Sequence, residues 1–126
     1  MTATKSRPRL AAVFVFLLAA LLAIHPRVAL AHAVLLSSTP QKNAAVTGPE
    51  ITFSLKYNSR VDGAHSSLSL LKPDGSIERI QALSQPAADM LTASGHKLAK
   101  GAYVLRWQVL SSDGHITRGE LPFQVH

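Results

Sequence analysis

The sequence predicts an all-β domain, an immunoglobulin-like Greek-key β-sandwich of about seven strands, preceded by a cleaved signal peptide. Three observations carry this prediction. Apolar residues alternate at period two in several short segments. Turn-forming residues separate those segments. Beyond residue 31 there is no convincing helical period.

The front of the chain follows the secretory pattern. Lys5, Arg7 and Arg9 make a basic start, and Leu10 to Ile24 is an uninterrupted apolar run of 15 residues. Ala29 and Ala31 supply the small residues that a signal peptidase accepts. The run is shorter than the roughly 20 residues that span a bilayer. Residues 1–31 are therefore expected to be a signal peptide, and residues 32–126 one small exported domain with little stability to spare.

The strands follow in order. Ala33 to Ser37 is an apolar opening strand, stopped by Thr39-Pro40. Gln41 to Thr47 reads as a polar loop, and Gly48-Pro49 as a turn. Glu50 to Tyr57 puts Ile51, Phe53, Leu55 and Tyr57 on one face. Ser66 to Leu71 is a short strand. Lys72-Pro73-Asp74-Gly75 is a turn, because proline presets φ and glycine accepts a positive φ. Ile77 to Leu83 is its hairpin partner. Met90 to Ala93 is a further short strand. Ala102 to Leu110 has the clearest alternation, with Tyr103, Leu105, Trp107 and Val109 on one face and Arg106 and Gln108 on the other. Ile116 to Val125 closes the chain, with Leu121, Phe123 and Val125 alternating. Leu98-x-x-Gly101-x-Tyr103 resembles the tyrosine corner of immunoglobulin-like domains. Trp107 is expected in the core.

Composition narrows the chemistry. Four of the 13 basic residues (Lys5, Arg7, Arg9, Arg27) and none of the 7 acidic ones fall in the signal, which leaves the domain near neutrality. That is no footprint for nucleic acid. Cysteine is absent, so disulfides and thiolate ligands are both excluded. No nucleophile elbow and no glycine-rich phosphate loop occurs.

The histidine at position 32 is the most informative residue. Cleavage after Ala31 makes His32 the first residue, and its free α-amino nitrogen and ring Nδ1 can then chelate one metal ion. His115 is the natural complement. It lies in Ser111-Ser112-Asp113-Gly114-His115, directly after the best core strand. In extended backbone a spacing of two sends Asp113 and His115 to the same side; alternatively, Asp-Gly is merely a turn that His115 follows. Together His32 and His115 offer three nitrogens, with an oxygen from Asp113. Tetragonal nitrogen and oxygen donors favour Cu(II). The reading requires the opening strand and the strand ending near Ser112 to lie side by side at one end of the sandwich. His65 is expected in a structural or supporting role, His96 on the surface, and His126 frayed at the terminus.

These segments resemble the CopC family of exported copper-binding proteins. The likeness rests on His32-Ala33, Ser37-Ser38-Thr39-Pro40, Ile51-Thr52-Phe53-Ser54, Gly101-Ala102-Tyr103-Val104-Leu105-Arg106-Trp107 and Ser111-Ser112-Asp113-Gly114-His115. It implies a β-sandwich holding Cu(II) through an N-terminal histidine brace, with His32 as the bidentate ligand, His115 as the third nitrogen ligand and Asp113 as the carboxylate near the metal. It also implies copper homeostasis or resistance in the periplasm, or outside the cell where there is no outer membrane. A monomer handing copper to an inner-membrane transporter of the CopD type fits that picture. Two departures stand out. Met90 is the only methionine after Met1, which speaks against a methionine-rich Cu(I) site. Leu55-Lys56-Tyr57-Asn58 stands where some members carry an acidic residue, which makes Asn58 a candidate hydrogen-bonding group near the site.

A binding protein, not an enzyme, is the favoured reading. A copper brace also serves oxidative polysaccharide-cleaving enzymes, but this domain is small, lacks a row of exposed aromatics and has Asp113 crowding an open coordination position. A metal-free immunoglobulin-like interaction module is the other alternative, and an exported chain that begins at Ala33 or beyond would put it ahead.

Overall fold

Residues 8–23, 32–81, 83–95 and 97–126 are described by a computed structural model, in which residues 1–30 and 31–126 form separate units. The first unit contains α1 (Pro8–Ala23). Leucine and alanine favour this helix, and Pro8 occupies a first-turn position where its missing N–H does no harm. No helix among the described residues is long and apolar enough to cross a membrane. The expected cleavage residues Ala29 and Ala31 lie outside the described residues, as does His96.

The second unit is an all-β, immunoglobulin-like Greek-key sandwich. Its strands are β1 (Leu35–Thr39), β2 (Ala45–Val46), β3 (Ile51–Tyr57), β4 (Val61–Leu71), β5 (Ile77–Ile80), β6 (Leu83–Ser84), β7 (Met90–Gly95), β8 (Gly101–Ser111) and β9 (Ile116–Val125). One sheet has the order β1-β3-β7-β6 and the other β2-β9-β8-β4-β5. All pairs are antiparallel except β2 with β9.

Alternation along β3, β8 and β9 builds the core between the sheets. Phe53, Leu55, Tyr57, Leu105, Val109 and Phe123 are fully or almost fully buried. Phe53 of one sheet meets Phe123 of the other edge-on, with ring centroids 5.7 Å apart, and Tyr57 meets Trp107 at 5.4 Å. Trp107 is buried as expected. Its indole lies over Gly119, its register partner on β9, where any Cβ would overlap the ring. The tyrosine corner is also present, since the Tyr103 hydroxyl donates to the Ala99 carbonyl at 2.7 Å.

Four details differ from the sequence reading. The loop after Pro40 contains β2, a two-residue strand whose pattern is too short to read. β4 starts at Val61, and a register irregularity between Asp62 and Ser67 masks its alternation. The segment after the Pro73-Asp74-Gly75 turn pairs with β4 only through Ile80. Leu83 and Ser84 then belong to the opposite sheet. Finally, β1 and β8 are not neighbours in one sheet but lie in different sheets.

Candidate metal centre

The hairpin from β8 to β9 builds one half of the site. The Ser111 N–H donates to the His115 carbonyl and the Gly114 N–H to the Ser111 carbonyl, both at 2.9 Å. This closes a three-residue loop, Ser112-Asp113-Gly114. Such loops need a left-handed residue after their turn, and Gly114 supplies it with φ of 86°. The backbone is thus turned, not extended as the same-side argument assumed. Asp113 and His115 still meet, because the turn folds the carboxylate back over the chain.

Hydrogen bonds fix that arrangement. The Ser111 hydroxyl donates to Asp113 Oδ1 at 2.5 Å, and the His115 N–H donates to the same oxygen at 3.1 Å. Asp113 Oδ2 lies 2.8 Å from His115 Nδ1. An ionised carboxylate only accepts, so Nδ1 carries the proton in this contact and the neutral ring keeps its lone pair on Nε2. The Ser111 hydroxyl, followed by the His115 N–H, holds the Asp113 carboxyl at a pKa of about 2. Ser111 is itself buried, which fixes the hydroxyl at the foot of the turn.

The opening segment brings the second histidine. Ala33 is fully buried and anchors the chain immediately after His32. The His32 and His115 rings meet edge-on, with centroids 4.8 Å apart at 83°. Their donor atoms and the Asp113 carboxylate lie within 4.8 Å of one another, and all three residues are exposed. The end of β8 and the segment before β1 therefore converge at one pole, although their strands belong to opposite sheets. These donors, imidazole nitrogens with one carboxylate oxygen and no thiolate in the chain, can hold a divalent transition metal such as copper.

The other histidines stand apart. His65 has its Nδ1 2.8 Å from Asp62 Oδ2, with its side chain 72% exposed. Among the described residues it joins no cluster of three potential ligands. His126 is exposed, but its N–H donates to the Val46 carbonyl at 2.9 Å, so the expected fraying is corrected by the β2–β9 pairing. Sequence reasoning missed Ser111. The signal available was its spacing of two from Asp113 across the mouth of a turn, which brings the two short side chains within reach of each other.

Comparison with known proteins extends the likeness to the whole domain. Residues 35–126 match the family model described as the CopC domain. Copper resistance protein C of Xanthomonas campestris pv. juglandis is 32% identical over 106 residues, covering 77% of this chain and 82% of the relative. The crystal structure of CopC from Methylosinus trichosporium OB3b superimposes with a TM-score of 0.67 at 32% identity, covering 75% of this chain and 93% of that one. PcoC of Escherichia coli, described as a methionine-rich copper resistance protein, gives a TM-score of 0.65 at 25% identity, covering 76% and 100%.

Proposed function

The chain belongs to the CopC family, and on that premise we propose that it is an exported Cu(II)-binding protein of copper homeostasis and resistance. The observation that carries this reading is the convergence of His32, Asp113 and His115, donor atom to donor atom, within 4.8 Å.

Removal of residues 1–31 as a signal peptide releases the α-amino group of His32. That amine and the His32 ring form a chelate, His115 Nε2 adds a third nitrogen, and Asp113 supplies the carboxylate of the set. Copper is cargo here. The exposed ligands give it a short route on and off, and the domain needs no turnover. Binding as a monomer in the periplasm, or outside the cell in an organism without an outer membrane, it buffers copper or passes it to an inner-membrane transporter of the CopD type. The chain has one methionine besides Met1, so a thioether-rich Cu(I) site of the kind the word methionine-rich describes for PcoC has no counterpart in its sequence. This favours a single cupric site over a two-site cycle.

Two measurements test the proposal together. The intact mass of the exported protein is expected to begin at His32. A competition titration is expected to give one tight Cu(II) per chain, weakening as the pH falls. Imidazole and amine ligands bind only when deprotonated, and such groups titrate over roughly pH 6 to 8. An exported chain beginning at Ala33 or later would leave only a metal-free module.

A further inference from the structure

We infer that Asn58 is a positioning residue for His32, holding the opening segment so that its histidine faces His115. This deepens the proposed copper reading and rests on it.

The first ladder pair of β1 is Leu35 with Tyr57. His32, Ala33 and Val34 precede it and must be held by something else if His32 is to keep its place. Asn58, directly after β3, does this at two points. Its side-chain Oδ1 accepts from the Val34 N–H at 2.8 Å, and its own N–H donates to the Val34 carbonyl at 3.0 Å. Both polar groups of Val34 are thus engaged by one residue. Among the described residues these are the hydrogen bonds that tie down the chain between His32 and the ladder. Two positions upstream lies the imidazole that meets His115.

Chemistry explains the amide. The position needs an acceptor that reaches back across the end of β3 to a backbone N–H. A carbonyl of the strand itself cannot serve once β3 has ended. Asn58 is exposed, so its replacement leaves the core between the sheets untouched. Without the side-chain half of the clamp, the three-residue arm keeps only the backbone bond from residue 58 to the Val34 carbonyl and the buried Ala33 methyl, and His32 samples more directions. A ligand that must be ordered at the moment of binding binds more weakly, because the ordering entropy is then charged to association.

The test uses the exported protein beginning at His32, Cu(II) as the probe and a competing chelator. Asn58→Ala is expected to weaken Cu(II) affinity about tenfold, the lower end of the effect of outer partners on metal sites. In the metal-free protein, exchange of the Val34 amide hydrogen with solvent should quicken by a similar factor. Asn58→Asp keeps the accepting oxygen and should restore Val34 protection. The same Ala substitution in a protein with one extra residue ahead of His32 should have no further effect on copper.

Unchanged Cu(II) affinity in Asn58→Ala, alongside an unprotected Val34 amide, would overturn the inference while leaving the copper site standing. Equal weakening in the blocked and unblocked proteins would also overturn it, by locating the effect elsewhere. Indifference of the parent protein to the added residue would remove the underlying reading, and this inference with it.

Discussion

Two histidine–carboxylate pairs flank one register position, Val61 with Ser111, where β4 begins and β8 ends. In each, histidine Nδ1 is 2.8 Å from an aspartate Oδ2, while the aspartate Oδ1 accepts backbone N–H bonds. Asp62–His65 occupies the irregular stretch of β4, and Asp113–His115 occupies the β8–β9 turn. Yet only Asp113–His115 belongs to a three-residue ligand cluster among the described residues. The pairing itself is therefore not what separates them. The main difference is the histidine that the opening segment delivers from the other sheet. A smaller one is the buried serine beside each pair: the Ser111 hydroxyl braces the Asp113 carboxylate, whereas the Ser66 hydroxyl donates to the main-chain carbonyl of Asp62. A His–Asp pair is common surface chemistry, and topology turns one pair into a candidate site.

Removing the two histidines in turn should break this comparison most sharply. His115→Ala is expected to lower Cu(II) affinity more than about 100-fold, beyond the range typical of outer partners. His65→Ala should leave affinity within about twofold. Competition titration measures both, and comparable losses would mean that the two pairs share the metal.

A smaller effect is expected from Ser111→Ala. It removes the strongest constraint on the Asp113 carboxylate, so copper affinity should fall about tenfold, as when other supporting partners are lost. Ser111→Thr keeps the hydroxyl and should recover most of it. An alanine variant indistinguishable from the parent in the same titration would show that the turn orients Asp113 unaided.

The smallest effect should appear in acid, without metal. Asp113 is depressed to about 2 from an ordinary aspartate value near 3.9. A depressed carboxylate stabilises the folded state fully above its unfolded pKa, and that stability is lost as the pH falls through the folded value. Asp113→Asn should therefore lower the melting temperature at pH 5, and the gap to the parent should narrow below about pH 4 and close only below about pH 2. Asp62 is also lowered, chiefly by His65, but is more exposed, with 44% of its side chain accessible against 25% for Asp113. Asp62→Asn should show the same trend with a smaller amplitude. Thermal melts across that range measure both, and a larger shift for Asp62 would reverse the ranking.

Much of this architecture can be read from the chain, where side-chain alternation runs long enough to be seen. Tyr103, Leu105, Trp107 and Val109 mark β8 because burial on one face demands period two. Ala45 and Val46 hide β2, since two residues carry no period and their pairing with β9 depends on a distant segment. Asp62 to Ser67 hides the start of β4, because an irregular register erases alternation while keeping the strand. The donors at the site were legible as residue types. Their meeting was legible only as a requirement, since the opening segment and the end of β8 come from opposite sheets, and pairing rules within one sheet do not predict contact across its end. Asn58 was legible as a polar group near the site but not as the partner of Val34, and Ser111 not as the brace of Asp113, because hydrogen bonds at strand ends leave no periodic pattern.

The central claim is that an amine created at His32 shares a cupric ion with the imidazole of His115. Electron paramagnetic resonance at one equivalent of Cu(II) tests it most directly, comparing protein that begins at His32 with protein carrying one added residue before it. The account predicts a tetragonal signal with coupling to three nitrogens that changes, with loss of affinity, when the added residue displaces the amine. Identical spectra and affinity in the two proteins would contradict it.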